Sequence, residues 1–222
     1  MLSNPDDESC CKNSETLIDY TQHWNKVYTD SETEQLGWYE NDPSESITLI
    51  EACNLAKNAN IFIPGAGATT LVDELINKKY TKLIANDISE SALSSLRSRV
   101  QESNSIRYVI DDLTNPVNLD TINEVDLWID RAVLHFFIEG ESQKAYFNLL
   151  RKLVKSRGYV ILAQFNLEGA KKCSGLDVCN YNAEMLQERL GNDFKLLNTF
   201  DYSYTMPSGN KRPYVYTLFQ RK

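Results

Sequence analysis

From residue 59 onward the chain alternates short apolar runs with helical patterns, then breaks that rhythm near its end with two apolar runs joined by a tight turn. Residues 59–64, 82–86, 106–110, 125–129 and 159–165 read as strands, each short and bounded by polar or turn residues. Between them, residues 69–77 form a helical pattern with Leu71, Val72, Leu75 and Ile76, and Ser89 is a good cap for a helix carrying Ala92, Leu93, Leu96 and Val100. Residues 141–155 set Tyr146, Leu149, Leu150 and Leu153 on one helical face, with Gly158 as the expected stop. This alternation predicts an α/β fold, a parallel sheet with helices on both faces. After a short helix near 183–190, residues 194–204 and 214–220 are strands joined by Met206-Pro207-Ser208-Gly209. So short a connection makes that last pair antiparallel. A mostly parallel sheet of seven strands ending in an antiparallel hairpin is an uncommon combination.

Upstream, residues 1–14 are polar and acidic and read as a disordered leader. A helix is expected over 15–28, with Leu17, Ile18, Trp24, Val27 and Tyr28, and a second one capped by Ser44 and running through Ile47, Ile50 and Leu55. The chain has 222 residues, 42% of them apolar, which suits one domain with a sizeable core. Without a run of about 18 apolar residues or a signal-like start, a cytoplasmic protein with no membrane partner is expected. The formal net charge of -8 and the scattered Lys-Arg pairs disfavour nucleic acid. At long range that charge favours a basic or neutral acceptor. The five cysteines are odd in number and match no zinc spacing, and His23 and His135 lie near no Cys pair, so reduced thiols and no metal are expected. A monomer is the expected state.

Four segments carry chemistry. Pro64-Gly65-Ala66-Gly67-Ala68 joins the first strand to its helix, where glycines let a ligand approach the backbone and free N–H groups can meet an anion. Thr70 stands where a dinucleotide fingerprint has its third glycine. Asp87, about twenty residues on, ends the second strand, where an acid can accept both hydroxyls of a ribose or simply start the following helix. Asp111-Asp112-Leu113 closes the third strand and suits either an adenine amine or an Asx turn. Asp130-Arg131 follows the fourth strand, at the edge where open α/β sheets bind ligands; a structural ion pair is the alternative. His135, close behind, is either a general base or a packed core residue.

Glycine turn, ribose acid, third-strand Asp and fourth-strand Asp-Arg, in this order and spacing, resemble the class I S-adenosylmethionine-dependent methyltransferases. The resemblance runs from about Trp24 to the C-terminus and includes the terminal hairpin. His23-Trp24 with Tyr28, Gly37-Trp38-Tyr39, the 130–135 stretch and Cys173-Ser174-Gly175-Leu176 are similar to a subgroup of small methyltransferase-domain proteins related to some protein-lysine methyltransferases. It implies a Rossmann-like, seven-stranded fold with S-adenosyl-L-methionine as cofactor. Gly65, Ala66 and Gly67 would pass under the methionine part, Asp87 would hold the ribose, and Ile88 would pack on the adenine. Asp112 and Leu113 would contact the adenine's amine edge and face, and Asp130 with Arg131 would lie beside the methionine amino group. Trp24 and Tyr28 would belong to an N-terminal helical lid, 15–57, over a core of 58–222. The family usually has an acid two positions before the first glycine, where this chain has Ile63.

Methyl transfer from a sulfonium needs an aligned nucleophile and a dry site more than any one residue type, although an amine acceptor invites a base such as Asp130 or His135. The acceptor, a small molecule or a protein side chain, is expected among Trp38, Arg131, His135, Phe165, Cys173, Asp177, Tyr181 and Tyr204, with the long connection 166–180 shaping its choice. A catalytically silent adenosyl-binding module, motivated by Ile63, and a nicotinamide-dependent oxidoreductase are the competing readings.

Overall fold

The computed structural model describes residues 18–222 apart from Ala68 and Glu102, so the expected leader and residues 15–17 of the first helix lie outside the described residues. Helix α1 (Tyr20–Asp30) and helix α2 (Ser44–Ala52) precede the sheet. Strands β1 (Asn60–Ile63), β2 (Lys82–Asp87), β3 (Ile106–Ile110), β4 (Val125–Arg131) and β5 (Val154–Phe165) then alternate with α3 (Leu71–Asn77), α4 (Glu90–Val100) and α5 (Gly140–Leu153). A two-residue hairpin, β6 (Lys172–Cys173) and β7 (Leu176–Asp177), interrupts the way to α6 (Ala183–Leu190), β8 (Phe194–Thr205) and β9 (Lys211–Arg221). The main sheet has seven strands in the order β3-β2-β1-β4-β5-β9-β8. β1 to β5 pair in parallel, and β9 runs antiparallel between β5 and β8. The expected fold is therefore the one observed.

Strand β5 explains why the sheet is covered twice. Val160 and Leu162 are buried in one core cluster while Ile161, Ala163 and Phe165 are buried in the other, so alternate side chains leave the sheet toward helices on both sides. All five parallel strands end their runs at one edge of the sheet, and their following loops gather there.

Local boundaries differ in instructive ways. Gly158 does not end the long helix: α5 passes straight into β5 at Val154, and Gly158 lies inside the strand. The strand starts with a register irregularity against β4, where Arg157 has φ 64, and a Cβ at Gly158 would meet Lys155 O at 2.9 Å. Ser44 is the first residue of α2 and not its cap, a place taken by Pro43 without a side-chain bond. The first helix begins at Tyr20 because Asp19 caps it, accepting from Gln22 N at 2.9 Å. Helix α3 starts at Leu71, two residues later than its apolar pattern suggests.

Helix α1 has no fully buried residue; Trp24, Val27 and Tyr28 are half-buried. It is also tied through Asn25, whose Oδ1 accepts from Ser89 Oγ at 2.8 Å and Ser91 N at 3.2 Å at the start of α4. Among the described residues no helix is long and apolar enough to cross a membrane.

Candidate functional site

The loops at the carboxyl edge enclose a cavity of about 190 Å³. Its floor begins at the turn after β1. Gly65 has φ +56, the left-handed region that glycine enters freely, and a Cβ built there would collide with Val133 Cγ2. Gly65→Ala should therefore lower stability by about 2–4 kcal/mol, from backbone strain plus overpacking. Urea unfolding of Gly65→Ala with and without Val133→Ala separates the two, because only the steric part is relieved by the second change. A Cβ at Gly67 would run into the Tyr28 hydroxyl and meet Asp87 Oδ2 at 3.0 Å.

Asp87 ends β2 against this turn. Its Oδ2 accepts from Gly67 N at 3.1 Å and its Oδ1 from Ser89 N at 2.9 Å. Burial pushes its pKa up to about 6, opposed only in part by those backbone N–H groups. Asn86 next to it donates to Val109 O and Asp111 O and accepts from Ala66 N, so the ends of β2, β3 and the glycine turn are one bonded unit. Asp111 organises the loop after β3 by accepting from the N–H groups of Val117, Asn118 and Leu119. Asp112 lines the cavity, and its Oδ1 accepts from Thr114 N and Oγ1 in an Asx turn.

An aromatic cluster closes the cavity from the N-terminal side. Trp24 meets Trp38 edge-on at 5.5 Å and Phe136 at 4.9 Å, and Tyr28 meets Trp38 at 6.1 Å. Arg131 and Cys173, the latter carried by the small β6–β7 hairpin, also line the cavity. Arg131 Nε lies 3.1 Å from Glu40 Oε2 and donates to Tyr216 Oη at 3.2 Å, while Nη1 donates to Trp38 O at 2.9 Å. Burial works against this charge, but Tyr214, Tyr216 and Glu40 hold the Arg131 pKa above its usual value. Burial likewise pushes the Cys173 thiol up and keeps it protonated.

Of the residues expected at the site, the structure brings Trp24, Tyr28, Trp38, Gly65, Asp87, Ile88, Asp112, Leu113, Arg131 and Cys173 to this cavity. The others it does not set on the cavity wall. Ala66 is fully buried beneath the turn, and Gly67 packs behind it against Tyr28 and Asp87. Asp130 is 0% exposed and points to the other side of the sheet. There it accepts from Val133 N, Leu134 N, Gln164 Nε2 and Tyr146 Oη, at 2.9, 3.0, 2.9 and 2.6 Å. His135 is also 0% exposed and stacks on Phe165 at 4.4 Å. Burial, then Arg212 and Arg131, push its pKa down to about 3, so it takes the packed-core alternative and stays neutral. Phe165 and Tyr204 lie behind Arg131 and Cys173, with the Tyr204 hydroxyl donating to Tyr39 O. Tyr181 belongs to the core cluster of Trp128 and Tyr146 on the far face. Asp177, in the small hairpin, pairs with Lys172 at 3.2 Å.

Phe136, Phe137, Tyr20 and Glu139 line the cavity without having been singled out in the sequence. An aromatic pair directly after a ligand-edge strand was a signal for the first two. Nothing local marked Glu40 as the partner of Arg131.

Residues 64–162 match the family model of a methyltransferase domain. No curated protein matches the sequence. The fold is similar to that of an S-adenosylmethionine-dependent methyltransferase from Anabaena variabilis, with a TM-score of 0.71 and 17% identity over 91% of this chain and 93% of that one. It is similar to 1,6-didemethyltoxoflavin-N1-methyltransferase from Burkholderia thailandensis, solved with 1,6-didemethyltoxoflavin and S-adenosylhomocysteine, at TM-score 0.64 and 16% identity over 91% and 84%. N-methyltransferase NodS from Bradyrhizobium japonicum, in complex with S-adenosylhomocysteine, gives 0.59 and 12% over 82% and 89%. The matched segment holds Gly65, Asp87, Ile88, Asp112, Leu113 and Arg131, all on the cavity wall. A methyltransferase-domain match thus runs across that wall, on a fold shared with S-adenosylmethionine-dependent methyltransferases of known structure.

Proposed function

We propose that the chain methylates a small molecule and that the main cavity receives both cofactor and acceptor. Asp87 carries this reading: a buried acid, bonded to the N–H of Gly67, at the ligand edge of the sheet. The residues fit S-adenosylmethionine. Gly65 lines the cavity with no side chain of its own, so the methionine part can run close over its backbone. In this reading the Asp87 carboxylate accepts the ribose hydroxyls, Ile88 and Leu113 flank the adenine, and Asp112 takes its amine. Trp24 and Tyr28, within the N-terminal segment 15–57, act as the lid over the core.

When bound, the cofactor supplies a methyl group on a sulfonium that is already activated toward displacement. The chain's own residues have to orient the acceptor and exclude water. Trp24, Trp38 and Phe136 do the second by their edge-to-face packing. The raised Cys173 pKa keeps a thiol at the acceptor end from competing for the methyl group. His135, neutral and off the wall, takes no part as a base in this reading. Enclosure by the lid and by the β6–β7 hairpin favours a small acceptor, and a small molecule is what the Burkholderia enzyme of the same fold holds.

Calorimetric titration with S-adenosylhomocysteine, followed by transfer of labelled methyl from the cofactor into fractionated cell extract, tests this. Absence of binding sinks the cofactor site, and label found only in protein sinks the small acceptor. Trp24→Ala should weaken S-adenosylhomocysteine by about tenfold, because the indole lines the cavity and its truncation opens the lid over the ligand. The urea midpoint should hardly move, because α1 buries no residue of the core.

A further inference from the structure

Beyond Arg131 and Cys173 the cavity wall is backed by a buried polar corner that the reading above leaves unused. Strand pairing builds it. Arg131 at the end of β4 lies beside Ala163 of β5, Phe165 pairs with Tyr214 of β9, and Tyr204 of β8 pairs with Arg212 of β9. With two-residue alternation, these side chains leave the same face of the sheet. The contacts agree: Arg131 Cζ lies 5.0 Å from the Tyr214 ring, Arg212 Cζ 5.1 Å from the Phe165 ring, and Phe165 5.0 Å from Tyr214.

Four groups here are buried with hydrogen-bonding capacity and no partner: Arg131 Nη2, Arg212 Nη1, Tyr214 Oη and the His135 ring nitrogens. Tyr214 is 0% exposed. Buried donors without acceptors are costly, and an acceptor brought in beside Arg131, on the cavity wall, would satisfy several of them at once. All three of Arg131, Arg212 and Tyr214 can donate, so the missing group is an acceptor of hydrogen bonds. Glu40 offsets one of the two guanidinium charges, which leaves room for a single negative charge. A planar monoanion meets both conditions.

We propose that Arg131, Arg212 and Tyr214 form a carboxylate-anchoring subsite, and that the acceptor is a small carboxylic acid whose apolar body lies against Trp38 and Phe136. Only the position of the methyl donor is borrowed from the cofactor reading. The overall charge of -8 favours a basic or neutral acceptor at a distance, but that field is screened within about 8–10 Å, whereas buried guanidinium groups act at contact.

The cofactor has a carboxylate of its own, so the test separates the two sources. Wild-type protein saturated with S-adenosylhomocysteine is titrated with benzoate, phenylacetate and hexanoate, each beside its primary amide, and with inorganic phosphate. At least one acid should bind about tenfold or more tightly than its amide, since an amide leaves the buried donors poorly matched. That preference should fall to about twofold or less in Arg212→Gln and in Tyr214→Phe, while S-adenosylhomocysteine affinity, which also reports a folded protein, stays within about twofold. No acid preference in the wild type, or its survival in both variants, overturns the proposal. Phosphate binding as tightly as the best acid overturns the monoanion assignment. A matching fall in S-adenosylhomocysteine affinity gives the corner to the cofactor's carboxylate and overturns the acceptor assignment. Wild-type protein that ignores S-adenosylhomocysteine sinks the cofactor reading instead, and the acid-over-amide preference is then read without it.

Discussion

Asp87→Asn should weaken S-adenosylhomocysteine binding by about 30-fold to 1000-fold at pH 7.5, without making the unliganded protein less stable. In the proposed cofactor site the Asp87 carboxylate accepts two ribose hydroxyls, and exchanging it for an amide with one acceptor is worth about 2–4 kcal/mol. Stability moves the other way. The Asp87 pKa rises from 3.8 unfolded to about 6 folded, so the fold disfavours the charged form. The favourable, protonated state is complete below pH 3.8 and is lost as pH rises through about 6, a cost of about 3 kcal/mol by pH 7.5. Asn carries no such cost, although it forgoes one of the bonds from Gly67 N or Ser89 N, about 1–3 kcal/mol. Urea unfolding at pH 4 and pH 7.5 should therefore show the variant gaining about 2–2.5 kcal/mol on the wild type between the two. A difference that stays constant with pH means that no buried charge resides at Asp87. Wild-type affinity for S-adenosylhomocysteine should also fall as the pH drops below about 6, and the variant's should stay flat.

The largest stability effect is expected at Asp130. Asp130→Ala removes the acceptor for four buried donors: Val133 N, Leu134 N, Gln164 Nε2 and Tyr146 Oη. Each orphaned donor costs about 1–3 kcal/mol, and a void is left beside Trp128 and Tyr146, so a loss of at least about 4 kcal/mol is expected. That is a large share of the about 5–15 kcal/mol available to a domain. Tyr146→Phe, which deletes one of the four bonds and the Trp128 Nε1 acceptor, should cost about 1–2 kcal/mol. Denaturant midpoints of the pair decide the matter: an Asp130→Ala loss under about 1 kcal/mol would show that these bonds do not hold the turn. The same turn carries Ala132 and Phe136 to the cavity wall, so loosening it should also weaken ligand binding.

Much of the cavity was legible in the chain because parallel strands deliver their carboxyl ends to one edge. Gly65, Asp87, Asp112 and Arg131 stand at the ends of four strands, and adjacency of those strands brings them together with no further information. Asp130 and His135 were not legible in the same way. Neighbours along a strand face opposite sides, so of Asp130 and Arg131 only one can meet the cavity, and spacing alone does not say which. Burial of His135 follows from the stacked Phe165, thirty residues on, which no local pattern announces.

Residue patterning was sufficient for the order of strands and helices, the closing hairpin, the glycine turn and the acids at the strand ends, because side-chain period and turn chemistry act over a few neighbours. The side of the sheet each polar residue faces, the pairing of Glu40 with Arg131, and the meeting of Arg131 with Arg212 and Tyr214 depend on the packing of segments far apart in the chain. Such partners are chosen by burial, which exists only once the layers have closed.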